Sequence, residues 1–238
     1  MLEPGSIDRV LVVMAHPDDV DFGAAGTVAG LTDAGANVTY CMVTDGQAGG
    51  FDLDTPRADI VGIRRAEQTE AAKVVGVTEL VFLGWEDGQV VASLDLRRAI
   101  ARVIRQVRPS VVITQSPAIN IDRLPANHPD HRATGEATID AIYPDARNPF
   151  AFPELLAEGL EPWTVDEAWV MGFGDATDAV DITDRFDRKI TALLAHRSQH
   201  PDPVGMPHRI RAWNQANAAA FGLPDGRLAE VFHVVATR

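Results

Sequence analysis

The chain has 238 residues, 46% of them hydrophobic, with a formal net charge of -13. That length and balance fit one large domain with a sizeable core and exclude disorder and a coiled coil. The negative charge opposes phosphate backbones and anionic lipid heads, so nucleic acid and membrane surfaces are not expected partners.

Residues 1–10 carry no basic segment leading into a long apolar run, and no stretch approaches the roughly 20 apolar residues of a spanning helix, which reads as a soluble, cytoplasmic protein. Nothing in the sequence specifies an oligomer, and a homo-oligomer is allowed. The single cysteine, Cys41, excludes an internal disulfide. It lies in the apolar run VTYCMVT and reads as a small core residue rather than a nucleophile.

Four apolar, β-branched runs recur in the first half, at residues 7–15, 37–44, 79–83 and 110–115, each predicted as a buried strand. Helical periodicity fills the gaps at 23–34, closed by Gly35, at 58–75, closed by Gly76, and at 94–107, stopped by Pro109. The alternation predicts an α/β fold: a Rossmann-like, mainly parallel sheet with helices on both faces. We read one domain over 1–238, with residues 1–143 as the βα core that carries the chemistry.

Residues 144–165, rich in proline and aromatics, are expected to form a lid or flanking loop. The C-terminal part, 166–238, predicts strands at 166–173 and 179–182 and a helix from 183 to about 197. A loop at 200–209, a helix at 210–221 and a last strand at 229–236 complete it.

Ligands of open α/β sheets collect beyond the carboxyl ends of the strands. Each of the four early runs is followed there by polar residues: HPDD (16–19), TDGQAGG (44–50), GWEDG (84–88), and a long loop ending in NHPDH (127–131). In the first cluster the turn at Pro17 lets His16 and Asp19 face one point while Asp18 projects elsewhere. Aspartates also suit the first turn of a helix, so HPDD alone does not require a metal. His128 and His131 supply further imidazoles from a distant strand end. Two histidines and a carboxylate, with a fourth position left for water, form a donor set that suits catalytic zinc, and the unligated Asp18 is placed to act as a base.

The pairing of AHPDDVDFGAAGT with a later HPDH resembles the LmbE-like, or PIG-L-type, zinc-dependent de-N-acetylases. TDGQAGG, IRRAEQTEAAKVVGV, FLGWEDGQV and DITDRFDRKITALLAHRSQ extend the likeness along most of the chain. The resemblance implies a hydrolase that removes acetyl from an N-acetylated amino sugar, a small-molecule substrate. It implies Zn2+ held by His16, Asp19 and His131, with Fe2+ as the other candidate metal. Asp18 would be the general base, His128 the group that meets the oxyanion or protonates the leaving amine, and Asp130 the residue that orients His128.

Arg64, in Arg-x-x-Glu with Glu67, would reach a substrate group, unless it is one half of a solvated pair. Asp87 would accept a sugar hydroxyl, unless it is a turn residue, and Trp85 would stand near the pocket, unless it packs in the core. His196 matches a family position near the site, or is structural. Asp21 stands where the family carries glutamate, and Ala25 and Gly26 where it carries paired glycines. Rival readings are an amidase for a larger acyl group on a glucosamine conjugate, a non-haem iron(II) oxygenase with the same ligand set, and a nucleotide-binding Rossmann module. The last lacks its G-x-G-x-x-G.

Overall fold

The computed structural model describes residues 1–121, 123–172 and 175–238. The four predicted early strands form as β1 (Arg9–Met14), β2 (Asn37–Thr44), β3 (Glu79–Trp85) and β4 (Val111–Gln115). Beyond them come β5 (Glu167–Met171), β6 (Asp178–Asp181) and β7 (Ala229–Ala236), in a seven-stranded sheet of order β3-β2-β1-β4-β5-β7-β6. The pairs from β3 through β5 are all parallel. The last strand inserts antiparallel to both β5 and β6. Phe173, predicted as the end of a strand, lies outside the described residues.

Side-chain alternation along β1 divides the core. Val10, Val12 and Met14 pack with Val28, Ala29, Ala71 and Ala72 on one face. Leu11 and Val13 pack with Leu96, Ile100, Ala133 and Ala137 on the other. The helices are α1 (Asp19–Gly23), α2 (Ala25–Asp33), α3 (Arg57–Val74), α4 (Leu94–Val107), α5 (Pro129–Asp140), α6 (Pro153–Ala157), α7 (Phe186–Ala195) and α8 (Gly205–Ala220).

The helix expected at 23–34 starts earlier and is broken at Ala24, whose φ of -143° is not helical. Asp19 is therefore the first helical residue, a position that favours a carboxylate. The stretch 200–209 is not all loop, since α8 begins at Gly205 with Pro207 in its first turn, where the ring costs no hydrogen bond.

Residues 144–165 do not cover the rim. The Arg105 guanidinium gathers the carbonyls of Asp145, Ala146, Asn148, Ala151 and Leu160. The Trp163 indole donates to Pro109 O, 2.7 Å away, just before β4 begins. The segment is thus fastened along α4 and at the amino end of β4, away from the strand ends that carry the polar clusters.

Cys41 is fully buried in β2, and burial pushes its thiol up to about 12. A thiol reagent at pH 8 is expected to leave native protein unlabelled and to titrate one thiol per chain after denaturation. Stoichiometric native labelling would refute this.

Candidate metal centre and active site

The ends of β1, β2 and β4 are tied together before any site residue appears. Ala15 donates its amide to Gln115 Oε1 at 2.9 Å, and its carbonyl accepts from both the amide and the hydroxyl of Thr44. The chain then turns through His16 and Pro17. Asp19 closes the turn by accepting the His16 amide on Oδ2 at 2.7 Å.

His131 arrives on the first turns of α5. That helix packs tightly because Gly135, four residues further along the same face, lies against the carbonyl of Gln115. A Cβ at Gly135 would sit 2.2 Å from that oxygen. A glycine one turn beyond His131 thus lets the helix bring an imidazole to the sheet.

The result is a convergence of three donors. His16 Nδ1 lies 3.2 Å from His131 Nε2 and 3.4 Å from Asp19 Oδ2, and His131 Nε2 lies 3.1 Å from Asp19 Oδ1. Two imidazole nitrogens that face each other beside a carboxylate have at most protons to share, whereas a divalent cation would satisfy all three donors.

The other ring nitrogen of His16 reinforces this. His16 Nε2 meets Asp87 Oδ1 at 3.1 Å and Asp130 Oδ2 at 3.2 Å, contacts that fix the ring and leave Nδ1 for a cation. Although His16 also forms a close group with Asp87 and Asp130, those carboxylates accept amides from Ala48, Gly88 and Val90, and donors aimed at a site oppose a cation there. Burial alone would lower the pKa of His16, but hydrogen bonds to Asp130, Asp19 and Asp87 outweigh it and push it up to about 12. Without a cation, a proton takes its place.

Two assigned roles therefore change. The Asp130 carboxylate does not orient His128; it holds His16 and the 88–90 turn, and only the Asp130 amide reaches His128, donating to Nδ1 at 3.2 Å. Asp87 is not a free sugar acceptor, because it is 7% exposed and shared between His16 and the Ala48 amide. Were zinc held by His16, Asp19 and His131, Asp87→Ala would be expected to weaken its retention by about 10- to 100-fold in a chelator competition. A rise in KM with zinc affinity intact would restore the sugar-binding role.

Asp18 sits at φ +90°, in the left-handed region where a side chain costs energy and which aspartate tolerates better than most residues. Its amide donates to Gln68 Oε1 at 2.8 Å, and its Oδ2 accepts from Arg64 Nη2 at 3.1 Å. Burial raises the Asp18 carboxyl to about 6, with Arg64 pulling it down and Asp19 pushing it up.

Arg64 is neither solvated nor paired with Glu67. It is 3% exposed, and its guanidinium donates to the carbonyls of Pro17 and Gly46 and to Gln199 Oε1. Glu67 binds Ser198 instead. His128 is held below its ordinary value by burial and by His16 and His131.

These groups line a cavity of about 270 Å³ formed by His16, Asp18, Asp19, Arg64, Asp87, His128 and His131 with Ala48 and Gly49. A second cavity of about 940 Å³ shares Asp19 and His131 with it and extends over Ile119, Ile121, Met171, Trp213, Asn214 and Asn217. Trp85 is half-buried on the α4 side of the core and lines neither cavity. The tryptophan beside the site is Trp213.

A family model described as GlcNAc-PI de-N-acetylase, PIG-L, matches residues 11–142, a span that contains every donor of the centre. The chain belongs to the PIG-L family.

Among its relatives, the diacetylchitobiose deacetylase of Thermococcus kodakarensis is 31% identical over 198 residues, covering 83% of this chain and 72% of the relative. A probable N-acetyl-alpha-D-glucosaminyl L-malate deacetylase 2 of Bacillus cereus is 35% identical over 198 residues, covering 80% and 83%. A solved structure of the N,N'-diacetylchitobiose deacetylase from Pyrococcus horikoshii superposes with a TM-score of 0.89 at 28% identity, covering 97% of this chain and 85% of that one. Membership in the PIG-L family sets aside the oxygenase and the nucleotide-binding module. Among the described residues no helix is long and apolar enough to cross a membrane.

Proposed function

We propose that this PIG-L family chain is a zinc-dependent hydrolase that removes the N-acetyl group from an N-acetylated amino sugar within a small-molecule conjugate. The observation that carries the reading is the meeting of His16 Nδ1, Asp19 and His131 Nε2 within 3.4 Å, beside a carboxylate, Asp18, that holds no place among them. His16, Asp19 and His131 would hold the zinc, which when bound supplies a Lewis acid that makes water a nucleophile near neutral pH.

The chain's own groups do the rest. Asp18, ionised at neutral pH by its value of about 6, takes the proton of the attacking water on its carboxylate. His128 accepts the Asp130 amide on Nδ1, so its proton sits on Nε2. A neutral imidazole with Nε2–H is a donor for the oxyanion that develops on the acetyl oxygen. Asp18, protonated in the first step, then returns its proton to the departing amine. Arg64 keeps the Asp18 carboxylate aimed into the small cavity throughout. The sugar conjugate beyond the acetamido group extends into the larger cavity, across Trp213, Asn214 and Asn217.

The test is amine release from N-acetylglucosamine, from disaccharide and aglycone conjugates of it, and from analogues with longer acyl groups, using zinc-loaded and chelator-treated protein. Release of acetate that is lost on chelation and restored by zinc is expected. Trp213→Ala should raise KM for conjugates by about fivefold or more and leave free N-acetylglucosamine unchanged. No release from any N-acetyl sugar overturns the reading, and faster release of longer acyl groups turns it into the amidase.

A further inference from the structure

Three helices meet behind Asp18 at a chain of buried polar groups. Gln68, on α3, accepts the Asp18 amide on Oε1 at 2.8 Å and donates from Nε2 to Asp21 Oδ2, on α1, at 3.0 Å. His196, the residue that caps α7, reaches the same Asp21 oxygen through Nε2 at 2.8 Å. Gln68, Asp21 and His196 are each 0% exposed. None of them lines either cavity.

The hydrogen-bond chemistry allows one arrangement. A backbone amide only donates and an ionised carboxylate only accepts, so the Gln68 side chain is fixed with its oxygen toward Asp18 and its nitrogen toward Asp21. Because Asp21 only accepts, the His196 nitrogen that faces it carries a proton. Asp21 Oδ1 and His196 Nδ1 have no hydrogen-bond partner among the described residues, so the hydrogen bonding of this pair points toward Gln68. Arg64 stands one helical turn before Gln68 on α3 and holds the Asp18 carboxylate and the Pro17 carbonyl. The base is thus held twice by one helix face, at its backbone by Gln68 and at its side chain by Arg64.

We infer that His196 and Asp21 are positioning residues that act through Gln68 to hold Asp18 in its left-handed conformation, with its carboxylate aimed at the reacting water. An aspartate at φ +90° needs such support, since relaxation to an ordinary backbone conformation would swing the carboxylate away from the cavity. The inference rests on the reading of Asp18 as the base, and it assigns a task to a histidine more than 175 residues further along the chain than its aspartate's neighbours in the HPDD turn.

A double-mutant cycle on the zinc-loaded enzyme tests it. A misplacement of about 1 Å costs up to about 100-fold, so Gln68→Ala is expected to lower kcat by about 30-fold and His196→Ala by about 10-fold. In both, KM should stay within about threefold and zinc content should be unchanged. The double variant is expected to match Gln68→Ala alone, because on this inference the side-chain hydrogen bonding of His196 and Asp21 reaches Asp18 through Gln68. A multiplicative loss of about 300-fold, or losses that appear in KM or in zinc content, would overturn the inference.

His196→Gln, whose amide can donate to Asp21, should stay within about threefold of wild type, and a loss equal to that of His196→Ala would count against the hydrogen bond. If His196→Ala does not fold, the crystal structure of Gln68→Ala decides, with Asp18 expected to leave positive φ and an unchanged Asp18 overturning the proposal. The same crystal structure separates the two readings. Wild type without amide hydrolysis refutes the base, whereas an unmoved Asp18 refutes the positioning.

Discussion

Asp18→Asn is expected to lower kcat by about 1,000-fold while the protein keeps its fold and its zinc. General-base catalysis is worth about 100- to 10,000-fold, and asparagine cannot take a proton from water at neutral pH. The substitution spares what surrounds it. Asparagine tolerates the left-handed backbone at φ +90°, and its side-chain oxygen can still accept from Arg64 Nη2, 3.1 Å away in the native site. Asp18 is not one of the three converging donors, so metal affinity has no large reason to change. Kinetics, metal analysis and thermal unfolding on the same preparation check the prediction. Retention of more than about a tenth of wild-type kcat would remove Asp18 from the chemistry.

His131→Ala is expected to abolish both zinc retention and turnover. Its Nε2 faces His16 Nδ1 at 3.2 Å and Asp19 Oδ1 at 3.1 Å, so its loss leaves one imidazole and one carboxylate, too few for a three-ligand centre. Zinc should fall to below about a tenth of an equivalent after dialysis, and kcat/KM by about 10,000-fold or more. His131 lies 30% exposed at the start of α5, while the core residues of that helix are Ala133 and Ala137, so thermal unfolding of the metal-free protein should differ little from that of wild-type apoprotein. The contrast between the two variants is the useful feature: one separates catalysis from metal binding, and the other loses both. A His131→Ala protein that retained stoichiometric zinc would dismantle the centre as drawn.

Much of this was legible in the chain. Apart from the helix expected at 23–34, which starts at Asp19 and breaks at Ala24, the strand and helix alternation up to residue 115 survives with shifts of a residue or two, because buried parallel strands read as continuous β-branched runs that few other structures explain. The convergence of His16, Asp19 and His131 was legible because short polar motifs stand at two strand ends that a parallel sheet brings to one rim. Asp87, Asp130, Arg64 and Trp85 were located as unusual residues, yet their partners were not. A carboxylate in WEDG has the same sequence signature whether it binds a sugar or the Nε2 of His16. Gln68 was missed, although its spacing of four from Arg64 on α3 was available as a signal that both face the same neighbour. Trp213 was considered with the other tryptophans as a stacking face and passed over for Trp85, because α8 comes to the site from a part of the chain with no motif of its own.

The sequence by itself determined the class of fold, the side of the sheet where the polar clusters gather and the presence there of donor types that a divalent metal would take, since these follow from local periodicity and from the intrinsic chemistry of imidazole and carboxylate. Only the tertiary structure decided which nitrogen of His16 faces His131 and Asp19, that Asp130 serves His16 rather than His128, that Arg64 is buried against Asp18, and that residues 144–165 lie along α4 instead of over the rim. The physical reason is range. Periodicity and propensity act over a few residues, whereas a hydrogen-bond partner is chosen by which elements the packed core brings within about 3 Å. Here those partners are separated by 40 to 114 positions in the chain.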